Sequence, residues 1–198
     1  MLEAWISLVL TSLLLLGSPG PAPLALAAVG ATAGVKKGIP FLMGILSGLV
    51  VAITFAAVGL ATLFDHYPYA KLVCEVLGAI YIVYVAYKIA SAPALSNAND
   101  IEVPDFKDGF ILNLLNPKAY AAFLAVFAQF LLPYTTEVTS YMMTAVGCFF
   151  VAVFVDTLWL MAGGILRPFL SDPKKLRVTR ITFAVIMVLM VIYALFFS

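Results

Sequence analysis

Apolar residues run along this chain in six long stretches divided by short polar ones. They cover residues 5–28, 41–63, 72–90, 109–132, 141–166 and 181–197. A helix that crosses a bilayer needs roughly 20 consecutive apolar residues, so each stretch predicts one span, the last a short one. The second and sixth contain no charged side chain. The links carry helix breakers and charge. Residues 34–40 hold Lys36, Lys37, Gly38 and Pro40, and 65–71 hold His66 and Pro68. Residues 91–108 form the longest link, with Pro93, Pro104, Asp100, Glu102, Asp105 and Asp108. Residues 133–140 carry only Glu137, and 167–180 are strongly basic. No link is long enough for a second domain. The expectation is a single transmembrane domain over 1–198, all-α, with six transmembrane helices. Residues 6–16 resemble the core of a secretory signal, and 25–27 resemble a cleavage motif. Glu3 and the absence of Lys or Arg at the start argue that this stretch remains a span.

Two of the spans are interrupted. The first contains Ser18-Pro19-Gly20-Pro21-Ala22-Pro23. Each proline removes a backbone donor and clashes with the carbonyl four residues back, so three in five residues end a regular helix. At ~1.5 Å per residue Pro19 lies roughly 20 Å into the span, just past mid-membrane. The fourth contains Asn113, Asn116, Pro117 and Lys118. Pro19 and Pro117 stand 98 positions apart, and the same offset carries residue 41 to 139, beside the start of the fifth stretch. It carries residue 72 to 170, about 11 short of the sixth. The expectation is two related three-helix units, repeat 1 at about 1–91 and repeat 2 at about 109–198, joined by an acidic linker at about 92–108. Three is odd, so the second unit enters the membrane inverted. Inverted repeats with broken helices meeting near the midplane are a plan of secondary transporters. Half-helix N-termini there favour an anionic group. The competing reading is that both prolines only kink packing helices.

Composition agrees with the membrane class. Of 198 residues, 64% are hydrophobic and 11% charged, with mean hydropathy +1.11, against about 25% charged in soluble domains. Charge then sets orientation. Lys36, Lys37, Lys88, Lys107, Arg167, Lys174, Lys175, Arg177 and Arg180 fall on one side of the alternating helices, and only Lys71 on the other. The positive-inside rule predicts both termini outside a cell membrane. The net charge of +1, without a basic stripe, gives no sign of nucleic acid. Cys74 and Cys148 have no ligand or disulfide spacing and read as small buried apolar groups.

Besides Lys88 at the end of the third, three charged residues fall within spans. Glu75 is near an end and reads as a boundary acid. Lys118 and Asp156 lie ~14 and ~23 Å into theirs. Insertion of each such charge at the bilayer centre costs roughly 2.5–3.5 kcal/mol. Asp156 therefore pairs with Lys118 or carries a coupling proton, since a carboxyl in a cavity that wets and dries has a movable pKa. On a continuous helix Asn113, Asn116 and Tyr120 share one face, as do Asp156, Trp159 and Gly163. Gly44 and Gly48 suit close helix contact. Tyr81, Tyr84 and Tyr87 read as packing or interfacial residues. No His–acid cluster, nucleophile elbow or metal-ligand set points to an enzyme, a cofactor or a metal.

At these residues the chain resembles the lysine exporter (LysE/RhtB) family of amino-acid translocators. Ser18-Pro19-Gly20-Pro21 is similar to that family's first-helix signature. Gly109-Phe110 and Asn113 through Ala119 are similar to its central one, continued by Phe123-Leu124-Ala125 and Gln129-Phe130. Gly78 through Tyr81 and Asp156 through Trp159 resemble its third- and fifth-helix patterns. The chain departs from it at Ala22 and Pro23, where asparagine often follows, in its uncharged second span, and at Ala128, where proline is usual. The resemblance implies secondary export of amino acids or related metabolites driven by the proton gradient. The expected substrate-binding residues are Ser18, Pro19, Gly20, Pro21, Asn113, Asn116, Pro117 and Lys118, with Asp156 for proton coupling. Expected partners are an amino-acid-like solute, protons and the lipid bilayer, and a homodimer is compatible with the sequence. The alternative function is a membrane scaffold that moves nothing, with Lys118 and Asp156 paired and sealed.

Overall fold

The computed structural model describes residues 1–59, 66, 68–91, 103–170 and 172–197. Among these residues the chain forms eight helices and no strand. In chain order they are α1 (Leu2–Gly17), α2 (Pro21–Ala33), α3 (Val35–Val58), α4 (Pro68–Ser91), α5 (Phe106–Leu114), α6 (Pro117–Gln129), α7 (Glu137–Leu166) and α8 (Pro173–Phe197), with a 3₁₀ turn at Arg167–Leu170 before α8.

Both proline interruptions are real breaks. Ser18 and Gly20 each precede a proline and are extended, at φ −64°, ψ 147° and φ −168°, ψ 178°. Proline imposes that on the residue before it. Pro21 then opens α2 at its first position, where a missing N–H goes unused. The axes of α1 and α2 differ by 66°. The second break has the same logic. Asn116 is extended before Pro117, which opens α6, and α5 and α6 differ by 54°.

Helices α3 and α7 are long and apolar enough to cross a membrane, and each broken pair is so when counted as one span, giving up to four among the described residues. Leu14, Phe55, Phe150, Phe154 and Ile165 are exposed on the outside of the bundle, a surface that suits hydrocarbon and not water. This is a multi-pass membrane protein.

The predicted links at 34–40 and 167–180 prove shorter than the breakers imply, and the one at 133–140 is shifted toward the N-terminus. Residues 34–40 contract to Gly34 alone, at φ 88°, with Lys36, Lys37 and Pro40 already inside α3. A positive φ at one residue turns the chain at once, and glycine adopts it without Cβ strain. The acidic linker is described only from residue 103, where Asp105 and Asp108 form a capping box at the start of α5. Helix α7 starts at Glu137, capped by Thr136, within the predicted 133–140 link. Most of the basic 167–180 link belongs to the 3₁₀ turn and α8.

The helices meet backbone to backbone. A Cβ on Gly44 would stand 2.0 Å from the Phe106 carbonyl oxygen, and one on Gly109 2.2 Å from that of Phe41, so α3 and α5 touch along both main chains. Gly163 and Gly30 do the same for α7 and α2, at 2.0 Å from the Ala27 oxygen and 2.2 Å from the Leu160 oxygen. Lipid supplies no hydrophobic drive between helices, so close packing of small residues must hold them. The Gly44 reading from sequence stands. Helix α2 is buried at every position from Pro21 to Ala33 and forms the centre of the bundle.

Gly44→Val and Gly163→Val should each destabilise the purified protein by at least ~1–3 kcal/mol through overpacking, read as a lower melting temperature in detergent. Gly17→Ala should be neutral, since its Cβ would meet Val155 at an ordinary 3.9 Å.

Candidate functional site

A break in a membrane helix leaves carbonyls without partners, and those at the first break find them on other helices. The Trp159 indole on α7 donates to the Gly17 carbonyl at 3.3 Å. The Lys118 ammonium on α6 donates to the carbonyls of Ser18 and, at 3.3 Å, Pro19. The Ser18 hydroxyl turns back to the Leu15 carbonyl. Lys118 passes close over Gly20, where a Cβ would lie 2.7 Å from Lys118 Cδ and the lysine would have to shift. Lys118 is the second residue of α6, so the two breaks face each other across one lysine side chain.

The second break is mended mostly from within. Asn116 Oδ1 accepts the Lys118 backbone N–H at 3.2 Å, capping α6. Its amide donates to Asn113 Oδ1 at 3.3 Å, and the Asn113 amide donates to the Ile45 carbonyl on α3 at 3.0 Å. Both asparagines are almost fully buried, at 2% and 3% exposure. The Tyr120 hydroxyl donates to the Leu114 carbonyl at 2.8 Å. Because the helix stops at Leu114, Asn113, Asn116 and Tyr120 do not form the continuous face that their spacing predicts. They encircle the break.

Asp156 sits on α7 at 7% exposure. Among the described residues it accepts no hydrogen bond and forms no ion pair. Lys118 acts on it electrostatically, but across more than ion-pair distance. The direct Lys118–Asp156 pair allowed by the sequence is therefore not formed, because the ammonium is turned to the carbonyls of the first break. The predicted Asp156–Trp159–Gly163 face does lie against the first span, through Trp159 on Gly17 and Gly163 on Ala27.

The structure thus gathers Ser18, Pro19, Gly20, Pro21, Asn113, Asn116, Pro117 and Lys118 around two facing breaks. Ser18 and Pro19 are exposed there and Gly20 and Pro21 buried. Of the tyrosines on α4, Tyr84 and Tyr87 are exposed. Tyr81 instead donates to Asp108 at the start of α5, beside a 2.9 Å Lys88–Asp108 ion pair. The side chains of Glu75 and Cys74 lie outside the described residues. Cys148 is buried and 3.5 Å from the Ser12 hydroxyl. Sequence reasoning did not find the Trp159–Gly17 bond. Its signal was an indole N–H in mid-span, which needs an acceptor, one helix away from carbonyls freed by proline.

Comparison with known proteins decides the family. The model of the LysE type translocator family matches residues 13–197. The chain belongs to that family. A homoserine/homoserine lactone efflux protein of Salmonella typhimurium is 26% identical to this LysE translocator over 180 residues, 88% of this chain and 87% of the relative. A leucine efflux protein of Salmonella choleraesuis is 29% identical over 167 residues, 80% and 78% of the two chains. No solved structure matches it. As a LysE translocator the protein is a transporter and not an enzyme.

Trp159→Phe keeps most of the ring and removes the donor to Gly17. The carbonyl left without its partner should lower stability by about 1–3 kcal/mol, measured as an earlier thermal transition in detergent.

Proposed function

We propose that this LysE translocator exports amino acids or closely related small metabolites in exchange for protons. The observation that carries the reading is that both helix breaks converge on Lys118 while the buried Asp156 nearby has no direct partner among the described residues. The named relatives, one an efflux protein for homoserine and its lactone and one for leucine, support the solute class.

The site has the polarity of a free amino acid. Lys118 and the N-terminus of α2 supply positive potential for a carboxylate. Pro21 and Pro23 have no N–H, so Gly20 and Ala22 are the main-chain donors there. The N–H of Lys118 already serves Asn116, so α6 contributes chiefly through the Lys118 ammonium. A substrate carboxylate would draw that ammonium from the Ser18 and Pro19 carbonyls. Asp156 would hold the substrate amine or the coupling proton, one replacing the other. Asn113, Asn116 and Pro117 keep the break in shape behind it. A sealed scaffold would want Lys118 and Asp156 paired, and Lys118 is engaged elsewhere.

Six spans in two inverted three-helix units accompany this reading. α1–α2, α3 and α4 would form the first, and α5–α6, α7 and α8 the second, with both termini outside. Helices α4 and α8 have 24 and 25 residues, enough to cross ~30 Å. The basic ends near Lys36 and Arg167 would face the cytoplasm. On that side α2 and α5 meet their neighbours main chain to main chain. On the other, Gly147 meets the Trp5 and Leu8 side chains, a contact that side chains can vacate.

Purified protein in loaded vesicles should release amino acids, tested across a panel, when a proton gradient is imposed. Asp156→Asn should abolish gradient-driven efflux with the protein still in the membrane, and normal transport by this variant would end the coupling assignment. Lys118→Met should raise the KM for the solute by about tenfold or more, as expected when a charge-assisted contact of roughly 1.5–3 kcal/mol is lost. Epitope tags at either terminus should be reached by antibody on intact cells whose outer envelope has been opened. Labelling only after the inner membrane is permeabilised would invert the topology.

A further inference from the structure

A second feature of the molecule lies away from the helix breaks. Between α3 and α7 runs a groove of about 370 Å³, with a floor of Leu42 and Leu160 and a rim of Ile39, Met161 and Ile165. The floor is buried and the rim exposed. It is lined by apolar groups almost throughout and opens on the outside of the bundle. Val35 closes one end, and there the chain turns basic.

Arg167 folds onto the turn at Gly34, with Nη1 2.6 Å from where a Cβ would stand. Lys36, next to Val35, is exposed. Among the described residues no carboxylate lies within ion-pair distance of Lys36 or Arg167. An apolar trough whose end residue, Val35, stands between exposed Lys36 and the Gly34 turn that Arg167 covers has the charge order of one lipid molecule.

We propose that this groove seats an acyl chain of an anionic phospholipid whose phosphate rests on Arg167 and Lys36. Guanidinium forms paired hydrogen bonds with phosphate oxygens. Basic pockets between membrane helices on the cytoplasmic side are suited to anionic headgroups. A second copy of the chain fits less well, because a two-fold contact over the groove brings each patch close to its own image and sets like charges together. The assignment rests on the proposed orientation only for the leaflet that supplies the lipid, and is independent of what the chain transports.

The test is native mass spectrometry of the full-length protein, released from detergent after exchange into phosphatidylglycerol or phosphatidylcholine. Phosphatidylglycerol should be retained in preference, and raised salt should weaken that preference. Lys36→Gln should weaken retention about fivefold and Lys36→Gln with Arg167→Gln by a further similar factor, at roughly the strength of one surface cation each. If the double variant does not fold, Lys36→Gln decides alone, since Lys36 is exposed. Equal retention of the two lipids by the wild type, or unchanged phosphatidylglycerol retention in the variants, overturns the proposal. So does an efficient disulfide between Ile39→Cys protomers in native membranes, which would give the groove to a second copy.

Discussion

The carbonyls of Gly17, Ser18 and Pro19 are the constraint on which the structure turns. Hydrocarbon offers them nothing, and a polar group left alone in it costs several kcal/mol. Three prolines make those orphans unavoidable. They are met by an indole from α7 and an ammonium from α6, so the first broken helix cannot be placed without the later half of the chain. The break is an assembly point as well as an interruption. Asn116, Asn113 and Tyr120 repair the second break, and the Asn113 bond to Ile45 ties it to α3.

The glycines answer a different demand. With main-chain needs met, the helices must still be held together in a solvent as apolar as they are. They do this by bringing main chains into contact at Gly30, Gly44, Gly109 and Gly163. Contacts of that kind have little give, because an atom that would have to move is backbone. Those pairs lie on α2, α3, α5 and α7, whereas α1 meets Gly147 through the side chains of Trp5 and Leu8. The glycine-bearing helices α2 and α5 are set rigidly, and compliance is left to the parts joined by side chains.

What could be read from the sequence follows the same division. Breaks at Ser18–Pro21 and Asn116–Pro117 were legible because proline acts on its own residue and the one before it, whatever the surroundings. Close contact at Gly44 was legible because small residues in membrane helices have few other uses. Link lengths were less so. Lys36, Lys37 and Pro40 look like a loop, yet one positive-φ glycine makes the turn and the helix begins before them. Partners across helices were least legible. The spacing of Asn113, Asn116 and Tyr120 describes a face only if the helix continues, and the same sequence says that it stops. The opposite charges of Lys118 and Asp156 suggest a pair, but an ammonium also satisfies carbonyls, and the nearer demand took it.

That last choice shapes the chemistry available at the site. Had Lys118 closed on Asp156, both charges would have been neutralised and a solute would have had to separate them. Instead the ammonium rests on neutral carbonyl dipoles, which hold a cation more weakly than a carboxylate does. In the proposed mechanism a substrate carboxylate therefore draws it away at smaller cost. Asp156, buried and without a direct partner among the described residues, is the group that the proposed mechanism opens to a proton or to the amine of the solute. Two ligands that compete for one carboxyl exclude each other there, and mutual exclusion at a common site is the thermodynamic basis of exchange. The proline breaks create the carbonyls, the carbonyls occupy the lysine, and the occupied lysine leaves the aspartate open.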